Sequence, residues 1–329
     1  MKLQKLLGAT ALSVVMATGA FAQTDVSGKT LGVLVITMQS ETLSTWSSEV
    51  QQAADAIGWE VILKDGENNP ALIAQKIPEL LAQGVDGIIT MAIDAPLVSE
   101  GLQQADAAGV PVIATNVGVN PVGAEMFDGV YAVDSLKIGQ MLADYMVAQD
   151  PDATAVGQTI QIVFSADELV VGAKEALGDK LLEIADTDAA NLGQSFTQTT
   201  VDLIQGNPEA DYFISCCDFA PLMVFPALGS IDATEVTYLG RVDNPSTLQG
   251  MRAGQKAAVV ANRSVFDLAA IDAMAAYFAD GTEIPYTIDG LTGDLKVVDN
   301  DTIPAEGRVY PFEAELAEYS AKWSELYGQ

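Results

Sequence analysis

The sequence predicts an α/β protein of two lobes, each organised around a parallel sheet. Three observations carry that expectation. Between Thr30 and Asn116, short apolar runs rich in Val and Ile alternate with stretches of helical period. The same alternation restarts after the Asp150-Pro151-Asp152 turn and continues to Ala261. The chain, at 329 residues, is long enough for two domains. Short apolar runs without polar alternation read as strands buried on both faces, and strand–helix–strand alternation implies parallel crossovers.

Taken in order, residues 30–37 form the first strand, and Leu43, Trp46, Val50, Ala53, Ala54 and Ile57 mark one face of the helix after it. Strands at 59–63, 87–91 and 110–114 alternate with helices at 71–81 and 97–107. A short strand at 130–133 leads into a helix at 136–147 that starts at Asp134-Ser135. The second series has strands at 159–164, 212–216, 236–240 and 257–261, with a weaker extended stretch at 186–191. Its helices fall at 169–184, 196–204, 221–228 and 247–253. A strongly apolar helix at 265–279 and short strands at 286–291 and 295–298 follow. Phe312, Leu316, Tyr319, Trp323 and Leu326 then recur at helical spacing, so the tail is an amphipathic helix that docks its aromatic face on a lobe.

The first residues stand apart. Lys2 and Lys5 precede an apolar run, and Ala20-Phe21-Ala22 has the small-x-small form of a cleavage site. Residues 1–22 therefore read as a secretory signal peptide, too short to span a bilayer comfortably. The expected mature protein is soluble and exported. Its charge excludes one class of partner. With 45 acidic against 15 basic residues the formal charge is −30, and nucleic acid needs clustered cations. The absence of histidine removes the His-based nucleophile systems and the commonest catalytic zinc ligand. Cys216 and Cys217 are the sole cysteines and adjacent, so they cannot join distant segments. They read either as a strained vicinal disulfide in an oxidising compartment or as two small buried hydrophobes.

In parallel sheets of this kind ligands bind beyond the C-terminal ends of the strands. Asp94, Asp134, Asp218 and Asp243 follow strands and precede helices, so each suits either a ligand hydroxyl or an N-cap. Asn116 and Asn262 can both donate to and accept from a hydroxyl, or close an Asx turn. Arg241 and Arg263 could clamp a carboxylate or pair with neighbouring acids. Met91 and Phe164 suit apolar walls, whereas Trp46 on its helical face suits core.

Several segments carry a resemblance: residues 30–35 (TLGVLV), 65–70 (DGENNP), 84–89 (GVDGII), 109–114 (GVPVIA), 133–139 (VDSLKIG) and 206–208 (GNP). In order and spacing the chain resembles the ribose-binding-protein family of periplasmic sugar-binding proteins, the type I solute receptors of ABC importers. The resemblance implies two Rossmann-like lobes joined by three crossovers, near Val133-Asp134, Asn262-Arg263 and Leu291-Asp294. Lobe one would be residues 23–133 with 263–291, and lobe two 134–262 with 292–329, including the C-terminal helix. It further implies a periplasmic monomer that closes on a small sugar or polyol-like solute and delivers it to an inner-membrane ABC permease, without catalysis, cofactor or metal. Mapped position by position, the implied ligand contacts are Ser40, Thr42, Leu43, Met91, Asn116, Asp134, Asn191, Cys217, Asp243 and Asn262, to which position at strand ends and the crevice adds Gln39, Phe164 and Arg263. The family's polar and aromatic contacts are largely replaced at these positions. Met91, Val117 and Leu43 leave open a less polar or carboxylated solute. A receptor that reports to a sensor kinase or chemoreceptor is the other alternative. An enzyme on the same scaffold lacks histidine, a phosphate-cradling glycine loop and a metal-ligand cluster.

Overall fold

The computed structural model describes residues 24–119, 122–160, 164–188, 192–215, 219–263, 265–288, 291 and 294–328, with backbone alone for 164–167. The first sheet contains β1 (Thr30–Val35), β2 (Glu60–Asp65), β3 (Gly87–Met91), β4 (Val112–Thr115) and β5 (Gly129–Tyr131). Their order is β2-β1-β3-β4-β5, all parallel. The second contains β6 (Ala155–Ile160), β7 (Leu181–Thr187), β8 (Tyr212–Ser215), β9 (Thr237–Arg241), β10 (Ala257–Ala261) and β11 (Lys296–Asp299). Its order is β11-β10-β9-β8-β6-β7, parallel except for β11 against β10. β3, β6 and β10 are buried along their whole length, as the unbroken apolar runs of β3 and β10 require. The chain thus forms two α/β lobes, each built on a mostly parallel sheet.

The helices are α1 (Glu41–Ala56), α2 (Pro70–Ala82), α3 (Ala95–Ala108), α4 (Ser135–Gln149), α5 (Phe164–Leu177), α6 (Leu192–Gly206), α7 (Ala220–Ser230), α8 (Pro245–Arg252), α9 (Phe266–Asp280) and α10 (Phe312–Tyr327). Ser40, Asn69, Asp134 and Asn244 cap α1, α2, α4 and α8 through their side chains, satisfying amides that the first helical turn leaves unpaired. Trp46 is core, as its helical face predicts.

Four elements differ from the sequence reading, one being the short strand expected at 286–291, which is not formed over residues 286–288. The helix expected over 169–184 ends at Leu177, and Leu181–Thr187 is an edge strand. Gly178 turns the chain in the left-handed region at φ 58°, and Lys174 Nζ binds the carbonyls of Gly178 and Leu181 at 2.9 and 3.0 Å. Phe164 opens α5 rather than ending a strand. The tail helix, expected with the second lobe, packs on α9 and α1 of the first. Trp323 is fully buried there and donates its indole N–H to Asp272 of α9 at 3.0 Å.

Candidate functional site

The order of each sheet reverses beside its first strand, between β1 and β3 and between β6 and β8, so both C-terminal edges open a crevice there. The chain leaves those edges in a constrained way. Ala92, Asn116 and Val242, which directly follow β3, β4 and β9, hold φ of 56°, 57° and 70°. Each still extends the ladder, giving its amide to Thr115 O (3.0 Å), Tyr131 O (3.2 Å) and Val260 O (2.9 Å) respectively. Left-handed backbone at a non-glycine residue costs roughly 1–2 kcal/mol, and more for a β-branched one such as Val242. Strain of this kind concentrates where the fold must aim a side chain.

On the first lobe, Asn116 is buried, and its Nδ2 donates to Thr115 Oγ1 at 3.5 Å while its Oδ1 has no hydrogen-bond partner among the described residues. Asp267, on the first turn of α9, lies within hydrogen-bonding reach of Thr115 and Asn116. Burial pushes its carboxyl up to about 7, against the pull of those two partners. Thr42 Oγ1 is likewise buried and has no partner among the described residues. Ser40 is committed to capping α1, accepting from Leu43 N at 3.2 Å. Leu43 belongs to the core, and Gln39 is exposed. Met91 is fully enclosed, its sulfur 3.8 Å from Ser47 Oγ, so it is packed beneath the crevice rather than forming its wall.

On the second lobe, Ser215 Oγ at the end of β8 and Thr247 Oγ1 on α8 are buried without partners among the described residues. Arg241 Nη1 donates to Ser135 Oγ at 3.2 Å. Asn262 is buried, its Nδ2 donating to Arg263 O at 3.1 Å. Three expectations shift here. Asp134 accepts from Lys137 N at 2.9 Å and acts as the cap of α4. Asp243 is fully buried under the segment before α10, accepting from Val309 N at 2.7 Å with Arg308 Nη2 at 3.7 Å. Arg263 binds Glu315 of α10 through Nε at 2.6 Å and through Nη2, with Asp294 and Glu318 each at 3.4 Å. It fastens the tail helix to the segment between β10 and α9 and is no free clamp for a solute. Asn191 and Cys217, with Cys216 and Asp218, lie outside the described residues, as does the Phe164 side chain.

Contacts between the lobes frame the crevice. Glu41 Oε2 of α1 accepts from Ser246 N of α8 at 3.4 Å. Glu168 of α5 reaches across to accept from Val119 N at 3.1 Å. The approach needs Gly118, because a Cβ there would stand 2.6 Å from Glu168 Oε2. Beside this bridge Asp94 is buried at the start of α3 yet makes no side-chain cap. Burial, with the negative charge of Glu168 adding, pushes its carboxyl up to about 6. The sequence leaves Asp94 open between cap and ligand contact and singles out neither Asp267, Glu168 nor Arg308. Asp267 was legible only as one acid inside an apolar helical run.

Comparison with known proteins agrees with this architecture. A family model described as "Periplasmic binding protein domain" matches residues 31–322. The ribose import binding protein RbsB of Escherichia coli (strain K12) is 22% identical over 263 residues, 79% of this chain and 86% of that protein. Among solved structures, a galactofuranose binding protein superposes with a TM-score of 0.73 at 16% identity, covering 91% of this chain and 99% of that one. The periplasmic component of the arabinose ABC transporter of Shewanella sp. ANA-3, bound to L-arabinofuranose, also gives 0.73, at 14% identity over 92% and 99% of the two chains.

Proposed function

This chain belongs to the periplasmic binding protein domain family, and from that premise we propose that it is the solute-binding protein of an ABC importer and captures a small sugar or polyol between its lobes. One observation carries the choice of solute. Thr42 Oγ1, Asn116 Oδ1 and Asp267 Oδ1 on one lobe, and Ser215 Oγ and Thr247 Oγ1 on the other, are buried polar atoms without hydrogen-bond partners among the described residues. They lie at strand ends or on the first turns of helices that begin at the crevice. Buried polar groups are nearly always paired, and each unmade bond costs about 1–3 kcal/mol. A polyhydroxy solute, whose hydroxyls both donate and accept, supplies the missing partners. The ligand names of the relatives, ribose, galactofuranose and arabinofuranose, support the same class.

The carboxylated alternative loses one of its two anchors, because Arg263 is engaged by carboxylates of the protein itself. Capture of this kind is a matter of hydrogen bonds and hinge closure, with no chemistry on the solute. The proposed partner is an inner-membrane permease, the compartment the periplasm, and the protein a monomer with residues 1–22 removed. Titration calorimetry with D-ribose, L-arabinose, D-galactose, allitol and, as a carboxylated control, D-gluconate tests the reading. Saturable binding of at least one neutral member, with none of gluconate, is the expected result. Silence across the neutral panel with binding of gluconate would reverse it.

A further inference from the structure

We infer that Asp267 is a ligand-binding residue which, together with Asn116, receives two adjacent hydroxyl groups of the solute. The inference rests on the capture reading above and adds to it a residue that neither resemblance nor sequence pattern supplied, and a feature of the solute it recognises.

Asp267 is the second residue of α9, a helix of 15 residues that follows β10. Its residue is only 9% exposed, Asn116 only 1%, and the Oδ1 atom of each is unpartnered among the described residues. Asn116 is held in the left-handed region at φ 57° directly after β4, within hydrogen-bonding reach of Asp267. Each of these two oxygens, on neighbouring residues, asks for a donor that the described residues do not supply. One hydroxyl carries a single proton, so neighbouring hydroxyls on one solute fit where an isolated one does not.

A purely structural role explains the arrangement less well. Asp267 does not cap α9, whose N-terminus has no side-chain cap at all. It joins no ion pair among the described residues. The helix N-terminus favours its ionised form, yet burial prevails and pushes the carboxyl up to about 7. A carboxyl so placed costs the folded state stability, and groups of that description concentrate at binding sites.

The test uses the full mature chain and the neutral sugar that the calorimetric panel identifies. Asp267→Leu, similar in size and without polar atoms, should bind it about 30-fold more weakly, and Asp267→Asn, which keeps one acceptor, about fivefold more weakly. Both variants should melt at or above the wild-type temperature at pH 7.5. The monodeoxy analogues of that sugar supply a readout that a structural role would not move. Two of them, lacking adjacent hydroxyls, should bind wild type poorly, and one of the pair should lose no further affinity when Asp267 becomes Leu. Binding of the Leu variant within threefold of wild type overturns the inference while leaving the capture reading intact. So does an unaltered monodeoxy profile. Should the Leu variant fail to fold, an Asn variant that is folded and binds like wild type overturns it equally. A wild type that binds no neutral sugar overturns the capture reading, and this inference with it.

Discussion

Asp94 and Glu168 show what the crevice costs at the scale of single residues. Asp94 begins α3, where a carboxylate is normally welcome, but its side chain forms no cap and is buried beside a second carboxylate from the opposite lobe. Its carboxyl therefore titrates at about 6 in the folded protein instead of near the ordinary 3.8. A carboxyl whose folded value lies above its unfolded value holds more protons in the native state across that window. Its contribution to stability thus falls as pH rises from about 4 to about 6, and stays low above it. Asp94→Asn should remove that penalty. The variant is expected to gain on the order of 1–2 kcal/mol at pH 7.5 and nothing at pH 3.5. Urea unfolding of both proteins at the two pH values is the check. A variant less stable than wild type at pH 7.5 would mean that the ionised Asp94 is held by a favourable contact instead.

At the scale of elements, α4 and α5 pack closer than side chains allow. A Cβ on Gly139 would stand 2.0 Å from Leu169 O, and one on Gly172 would stand 2.1 Å from Leu136 O. Backbone faces backbone at both points, and neither helix can yield without moving the sheet edge it covers. Gly139→Ala and Gly172→Ala should each cost about 3 kcal/mol through overpacking. Gly193→Ala on α6 meets nothing within 4 Å and should be neutral or slightly stabilising. Denaturation midpoints compare the three, and equal midpoints would refute the close approach. Composition does not announce this contact, although the element pattern around it was readable. β1, β3 and β10 were legible because short, mostly apolar runs without polar alternation leave few alternatives to a buried strand. β7 was not, because its apolar residues continue the helical rhythm of α5, and only Gly178 at φ 58° separates them. The site was legible in part. Asn116 falls at a strand end, where the topology rule looks. Asp267 hides in the first turn of an apolar helix, and Met91 occupies a strand end but is packed on Ser47. Asp134 could be read both ways from sequence, and in the structure it caps α4.

At the scale of the whole molecule, the tail ties the two lobes together. After β11 the chain runs along the second lobe, where Asn300 donates to Met251 O and Gln255 O and Arg252 donates to Pro304 O and Gly307 O. It then crosses to the first lobe as α10. At the crossing, Arg308 stands between Glu49 of α1, at 3.0 Å, and Asp243 beyond β9, at 3.7 Å. All three are largely buried, with side-chain exposures of 13%, 8% and 0%. Removing the cation would leave two carboxylates facing each other out of water, and breaking a buried ionic group in this way typically costs about 3–5 kcal/mol. The two lobes can avoid that cost by moving apart so that water reaches both acids. Arg308→Ala is therefore expected to open the sugar-free protein as well as destabilise it, raising the radius of gyration measured by small-angle scattering. Glu49→Gln and Asp243→Asn added to Arg308→Ala remove the stranded charges and should restore both stability and compactness. A compact, fully stable Arg308→Ala variant would show that the tail merely rests on the lobes and does not tie them.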